Sequence, residues 1–121
     1  MKIYLIMAVR GGVNPADQQY AEELEAAGHV VHYPPRDAPQ QDNTGQLICE
    51  AHLNAMVECD EVHVIWDVES KGSHFDLGMA YALGLDIVPV RCVHPDPPGK
   101  SYWKAVIDPC SSSQNSSEVG K

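Results

Sequence analysis

"EVHVIWDVESKGSHFDLGMAYALGLDIVPVRCV", Glu61–Val93, is the stretch that decides the fold. Glu61–Asp67 is short, alternating and rich in β-branched and aromatic side chains, the composition of a strand. A polar loop, "VESKG", follows, and "SHFDLGMAYALG" (Ser73–Gly84) then reads as a helix stopped by its final glycine. "DIVPVRCV" (Asp86–Val93) is a further strand. A strand, a crossover of helical length and a second strand make a βαβ unit, whose strands run parallel with a right-handed connection.

The residues before this unit repeat its logic. "KIYLIMAV" (Lys2–Val9) is a nearly continuous apolar run, as expected of a central strand buried on both faces rather than of a leader peptide. Asn14 is placed to cap a helix that begins at Pro15 and stops at Gly28, with Tyr20, Leu24 and Ala27 as its apolar stripe. "HVVHYPP" (His29–Pro35) reads as a second strand ended by its prolines, and "RDAPQQDNTG" (Arg36–Gly45) as a polar loop. In "QLICEAHLNAMVECD", Leu47, Ile48, Ala51, Ala55 and Met56 fall at helical spacing. The order β-α-β-α-β-α-β predicts a single α/β domain over residues 1–108, an open parallel sheet of four to five strands with helices on both faces, flavodoxin- or Rossmann-like. One short helix is expected around Tyr102–Ile107, and residues 109–121 form a serine-rich, flexible tail.

Composition narrows the partners. With 121 residues and a net charge of −9 against only eight Lys and Arg, the chain lacks the basic face that a nucleic-acid polymer requires. No apolar run approaches the roughly 18–20 residues of a membrane span. Four widely spaced cysteines without a C-x-x-C pair read as reduced thiols in a cytoplasmic protein, and six scattered histidines give no metal signature. A small anionic ligand stays open, because one arginine and a few backbone N–H groups suffice to hold it.

In such a sheet ligands bind beyond the carboxyl ends of the strands, which singles out the loops "VRGG", "PPRD" and "DVESKGS". Arg10 can fork onto a phosphate while Gly11 and Gly12 let the backbone approach; the same trio also reads as an ordinary strand-to-helix turn. Ser73 and Asp76 have the spacing of a capping box, which puts Asp76 on the first helical turn. A carboxylate there either starts the helix or reaches into the ligand crevice. His52 and His74 are acid–base candidates or partly exposed helix residues. Neither a nucleophile elbow nor a Walker loop is present.

Taken together, "YLIMAVRGG" (Tyr4–Gly12), "HLNAMVECDEVHVIW" (His52–Trp66) and "SKGSHFDLGMAYALG" (Ser70–Gly84) resemble the nucleoside 2-deoxyribosyltransferase superfamily. The nearest branch is that of the 2'-deoxynucleoside 5'-phosphate N-hydrolases. The resemblance spans residues 2–93 and rests on the order and spacing of short motifs. It implies that Arg10 and Ser70 serve a phosphate, that Tyr4 holds the catalytic carboxylate, and that Gly72, Asp76 and Gly78 stand for the family's G-x-x-x-E-x-G. Ser73 and His74 fall inside that motif. Two positions depart from the pattern. Asp76 replaces a glutamate, withdrawing the carboxylate by one methylene, on the order of 1 Å, and a displacement of that size can cost roughly a hundredfold in rate. His52 stands where a second acid is expected.

The sequence therefore leads to cleavage or transfer at the N-glycosidic bond of a nucleoside or nucleotide, with Asp76 as nucleophile and His52 as general acid. Phe75 or Trp66 stacks on the base, or belongs to the core. The competing class is a non-catalytic nucleotide-binding or nucleotide-sugar-binding protein on the same scaffold. Neither needs a cofactor. Relatives of this fold complete their pockets with a neighbouring subunit, so a homodimer or larger assembly is expected, with His52–Cys59 in the interface.

Overall fold

The computed structural model describes residues 1–9, 14–38 and 44–107. Strands β1 (Lys2–Ile6), β2 (Val30–His32), β3 (Glu61–Asp67) and β4 (Asp86–His94) form one parallel sheet in the order β2-β1-β3-β4. Helices α1 (Pro15–Ala26), α3 (Gln46–Val57) and α4 (Lys71–Ala82) supply the crossovers, and Pro34–Asp37 forms a single helical turn, α2. Residues 102–107 form the short helix expected near the C-terminus, α5. The expected tail and the "RGG" motif lie outside the described residues.

Alternation along the strands divides the core in two. Tyr4, Ile6, Val62, Val64 and Trp66 face α3 and α4, where Met56, Leu77 and Ala80 close over them. Trp103 of α5 stacks on Trp66, centroids 4.8 Å apart and planes within 7°. Ile3, Leu5, Val31 and Ile65 point to the opposite face and meet Ala21, Tyr20 and Leu24 of α1. The sheet thus carries helices on both faces, with Tyr4 and Trp66 in its middle fully buried. In α1 the inward residue is Ala21 rather than Ala27, which is exposed, because the stripe follows Asp17, Tyr20, Ala21 and Leu24. Leu47 likewise leaves the α3 stripe and is exposed.

Helix ends follow local chemistry. Asn14 Oδ1 accepts from Ala16 N at 2.9 Å and from Asp17 N at 3.3 Å, with Pro15 opening α1. Gly28 and Gly84 take φ of 98° and 71°, and the amides of His29 and Leu85 return to Leu24 O and Ala80 O at 3.1 Å. That is the six-to-one bond of a Schellman end, which needs a left-handed residue.

Two further expectations change. β2 is shorter than its apolar run, because Pro34 has φ suited to a first helical position and Asp37 Oδ2 accepts from Tyr33 N at 2.8 Å; "PPRD" is a turn of helix and not open loop. The capping box is not at Ser73–Asp76. Helix α4 starts at Lys71 with Ser70 as N-cap, whose Oγ accepts from Ser73 N at 3.2 Å, and Asp76 lies in the second turn. The consequence is measurable: Ser70→Ala should cost about 0.5–2 kcal/mol in chemical denaturation. Asp76→Asn should show no cap loss, since no N-terminal amide of α4 bonds to Asp76.

Candidate functional site

The strand order reverses between β1 and β3, so chains leaving these strands diverge and open a crevice at their carboxyl ends. A cavity of about 390 Å³ occupies that place. Met7 and Val9 beyond β1, Pro34 beyond β2 and Glu69–Gly72 beyond β3 form its walls, with Ile48 and His52 of α3 and Asp76 of α4. Described residues from all three segments singled out in the sequence, Val9, Pro34 and Glu69–Gly72, therefore border one cavity. Its volume is in the range of small-ligand sites.

Asp76 is the charged centre of this wall, only 5% exposed. The Tyr4 hydroxyl donates to Asp76 Oδ2 at 3.1 Å, and His52 Nδ1 stands 3.1 Å from the same carboxylate. As a hydrogen bond to a carboxylate oxygen, which only accepts, this contact needs the proton on Nδ1. Burial, then the charge of Asp76, hold the Tyr4 phenol far above its ordinary pKa, so it remains a donor. Tyr4 reaches the carboxylate from the middle of the sheet and His52 from the facing helix.

A third ring completes the cluster. His32 stacks on Tyr4 with centroids 4.8 Å apart and planes within 13°, and meets His52 edge-on at 6.3 Å. Its Nε2 is buried without a hydrogen-bond partner among the described residues. Burial lowers its pKa, with His52 adding to the effect and Asp37 and Asp76 opposing it, so the ring is neutral near pH 7. Sequence reasoning missed His32. The only local signal was a histidine at the carboxyl end of a parallel strand.

The remaining predicted residues separate. Ser70 and Gly72 line the cavity with Asp76 and His52. Ser70 Oγ accepts from the Ser73 amide and, at 2.9 Å, from the Ser73 hydroxyl. Its own hydroxyl hydrogen has no acceptor among the described residues. Ser73 is buried, and its hydroxyl is directed back to Ser70 rather than into the cavity. His74 donates Nδ1–H to Ser70 O at 2.9 Å, tilts against Trp66 and lines a different cavity with Asp96, Lys100 and Tyr102. Trp66 is core, whereas Phe75 is exposed. Arg10, Gly11 and Gly12 follow Val9 but lie outside the described residues.

A buried carboxylate at the switch point of a parallel sheet, held by a phenol and an imidazole, makes this cavity the candidate functional site of an α/β domain. No family model and no curated protein matches the chain. Among solved structures it is similar to a Clostridium botulinum CMP N-glycosidase, BcmB, with a TM-score of 0.57 and 18% identity over 95% of this chain and 81% of that chain. The likeness is one of fold: both chains share an α/β architecture, here a four-stranded parallel sheet with helices on both faces.

The neutral, half-buried His32 sets a pH dependence. Its folded-state pKa lies below the unfolded value of about 6.5, so the unfolded chain binds more protons as pH falls through that value, and stability is lost there. His32→Phe, which keeps the stack on Tyr4, should melt higher relative to the parent at pH 5 than at pH 8. Melting curves of both proteins at the two pH values check this.

Proposed function

We propose that the protein cleaves the N-glycosidic bond of a nucleoside 5'-monophosphate or nucleoside, with Asp76 as nucleophile. The observation that carries this reading is the buried Asp76 carboxylate on the cavity wall, fixed by Tyr4 and His52. In the first step Asp76 attacks C1' of the sugar, the C1'–N bond breaks and a glycosyl ester forms while the leaving base takes a proton. With Nδ1 committed to Asp76, His52 works through Nε2: as imidazolium it gives its proton to the base. As neutral imidazole it then takes one from the water that opens the ester, which regenerates both residues. Adding the width of an imidazole to the 3.1 Å contact lets Nε2 stand up to about 5 Å from the carboxylate, the separation of nucleophile and acid/base in retaining glycosidases.

Tyr4 keeps the carboxylate aimed and, being protonated, does not compete as a nucleophile. The phosphate would meet the Ser70 hydroxyl and the first amides of α4, whose helix dipole favours an anion, together with Arg10 and the Gly11–Gly12 backbone. The likeness in fold to a CMP N-glycosidase supports this class of chemistry. Transfer of the sugar to a second base uses the same first step. We further take the working unit to be cytoplasmic and a homodimer or larger, to which the exposed Leu53 and Val57 of α3 would contribute, with residues 1–108 as the domain and 109–121 as a tail.

A second reading, a nucleotide binder without turnover, is favoured by the short reach of Asp76 from a position 95% buried. One experiment separates the two. The protein is incubated with a panel of nucleosides and nucleoside monophosphates, free base is assayed by chromatography, and melting shifts are measured in parallel. The glycosidase reading expects base release with preference for monophosphates. It also expects loss of release, but retained ligand shifts, in Asp76→Asn, which preserves shape and can still accept from Tyr4. Ligand shifts without base from the parent, and base released only by Asp76→Glu, identify the binder.

A further inference from the structure

A cluster outside the Tyr4–His52–Asp76 group brings together Asp67, Glu69 and His94. Asp67 ends β3, Glu69 follows it in the loop to α4, and His94 ends β4. One ligand atom from each lies within 4.8 Å of the other two. Asp67 is buried, whereas Glu69 and His94 are exposed to solvent.

The sheet is shaped to make this meeting. Along β3 and β4 the pairing runs Trp66 with Cys92 and then Asp67 with His94, skipping Val93. Such a bulge re-aims the side chain that follows it. Without the extra residue Asp67 would face Val93; with it, His94 Nδ1 stands 3.1 Å from Asp67 Oδ1. That spacing is what two neighbouring ligands of one ion need, since bonds of about 2.0–2.2 Å put adjacent donors roughly 3 Å apart. No metal signature is legible in the sequence, because spacing rules are local and His94 is 27 positions from Asp67.

We propose that Asp67, Glu69 and His94 form a divalent-cation site. One imidazole and two carboxylates are a mixed nitrogen–oxygen set, suited to ions of the Mn²⁺, Fe²⁺ and Zn²⁺ class with open positions left for water. The ion would join the ends of β3 and β4 to the loop that leads into α4. Glu69 is also a wall residue of the cavity that holds Asp76, so the ion would stand at the cavity rim and place positive charge there in a chain of net charge −9. The inference rests on this geometry and is independent of the glycosidase reading.

The test uses Mn²⁺ alone, because zinc would also be drawn to the free thiols, Cys92 among them. Free Mn²⁺ is followed by electron paramagnetic resonance as the full chain is titrated, and melting temperature is recorded with and without the ion. We expect one Mn²⁺ per chain and a raised melting temperature. Asp67→Asn keeps an oxygen for the Glu69 amide, which donates to Asp67 Oδ1 at 2.9 Å, and His94→Gln changes an exposed residue. Each should weaken binding by at least about tenfold, the lower bound for even an outer-shell change. No depletion of free Mn²⁺ at millimolar concentration overturns the proposal, and so does binding that is unchanged in either folded variant.

Discussion

The structure depends on the burial of one carboxylate. Taking Asp76 out of water is costly unless donors replace its hydration, and an uncompensated buried charge of this kind destabilises by about 3–5 kcal/mol. The donors come from far along the chain: Tyr4 is 72 positions away and His52 is 24. Satisfying the carboxylate therefore requires β1 in the middle of the sheet and α3 and α4 side by side over the same face. The same requirement sets the register of α4, which starts early enough, at Lys71, to turn Asp76 inward.

From that constraint the site's chemistry follows. The phenol is kept protonated by burial and by the carboxylate beside it, so it stays a hydrogen-bond donor to Asp76. The neutral His32 backs the phenol with a flat contact, and its buried Nε2 lacks a partner among the described residues, a cost of the order of 1–3 kcal/mol that a purely structural core would avoid with an apolar ring. The apolar residues Met7, Val9, Pro34 and Ile48 reduce water around the charged group, which strengthens its interactions.

Much of this was legible from sequence for local reasons. Runs of apolar residues gave β1, β3 and β4, and Asn14, Pro15, Gly28 and Gly84 marked helix ends whose bonds are made within a few residues. The helix start is ambiguous in sequence because two serine registers fit the same spacing, Ser70–Ser73 and Ser73–Asp76, and only the tertiary demand of Tyr4 on Asp76 chooses between them. "PPRD" looks like loop in sequence because the bond that closes its turn runs backward, from Tyr33 N to Asp37 Oδ2. His32 was invisible because its importance arises from stacking on a neighbouring strand. The approach of Asp67 to His94 depends on a bulge, a feature of strand pairing that neither segment carries alone. The resemblance of motif order drew Tyr4, His52 and Asp76 into one list, and the structure brings those three into contact.

The proposed glycosidase rests on a bond between the Asp76 carboxylate and C1' of the sugar. Acid quenching during incubation with a nucleoside monophosphate, followed by mass spectrometry of the digested protein, tests for that bond. The expected result is a 5-phosphoglycosyl adduct on the peptide that carries Asp76, absent from Asp76→Asn. An adduct on another residue, or base release that continues undiminished in Asp76→Asn, would contradict it.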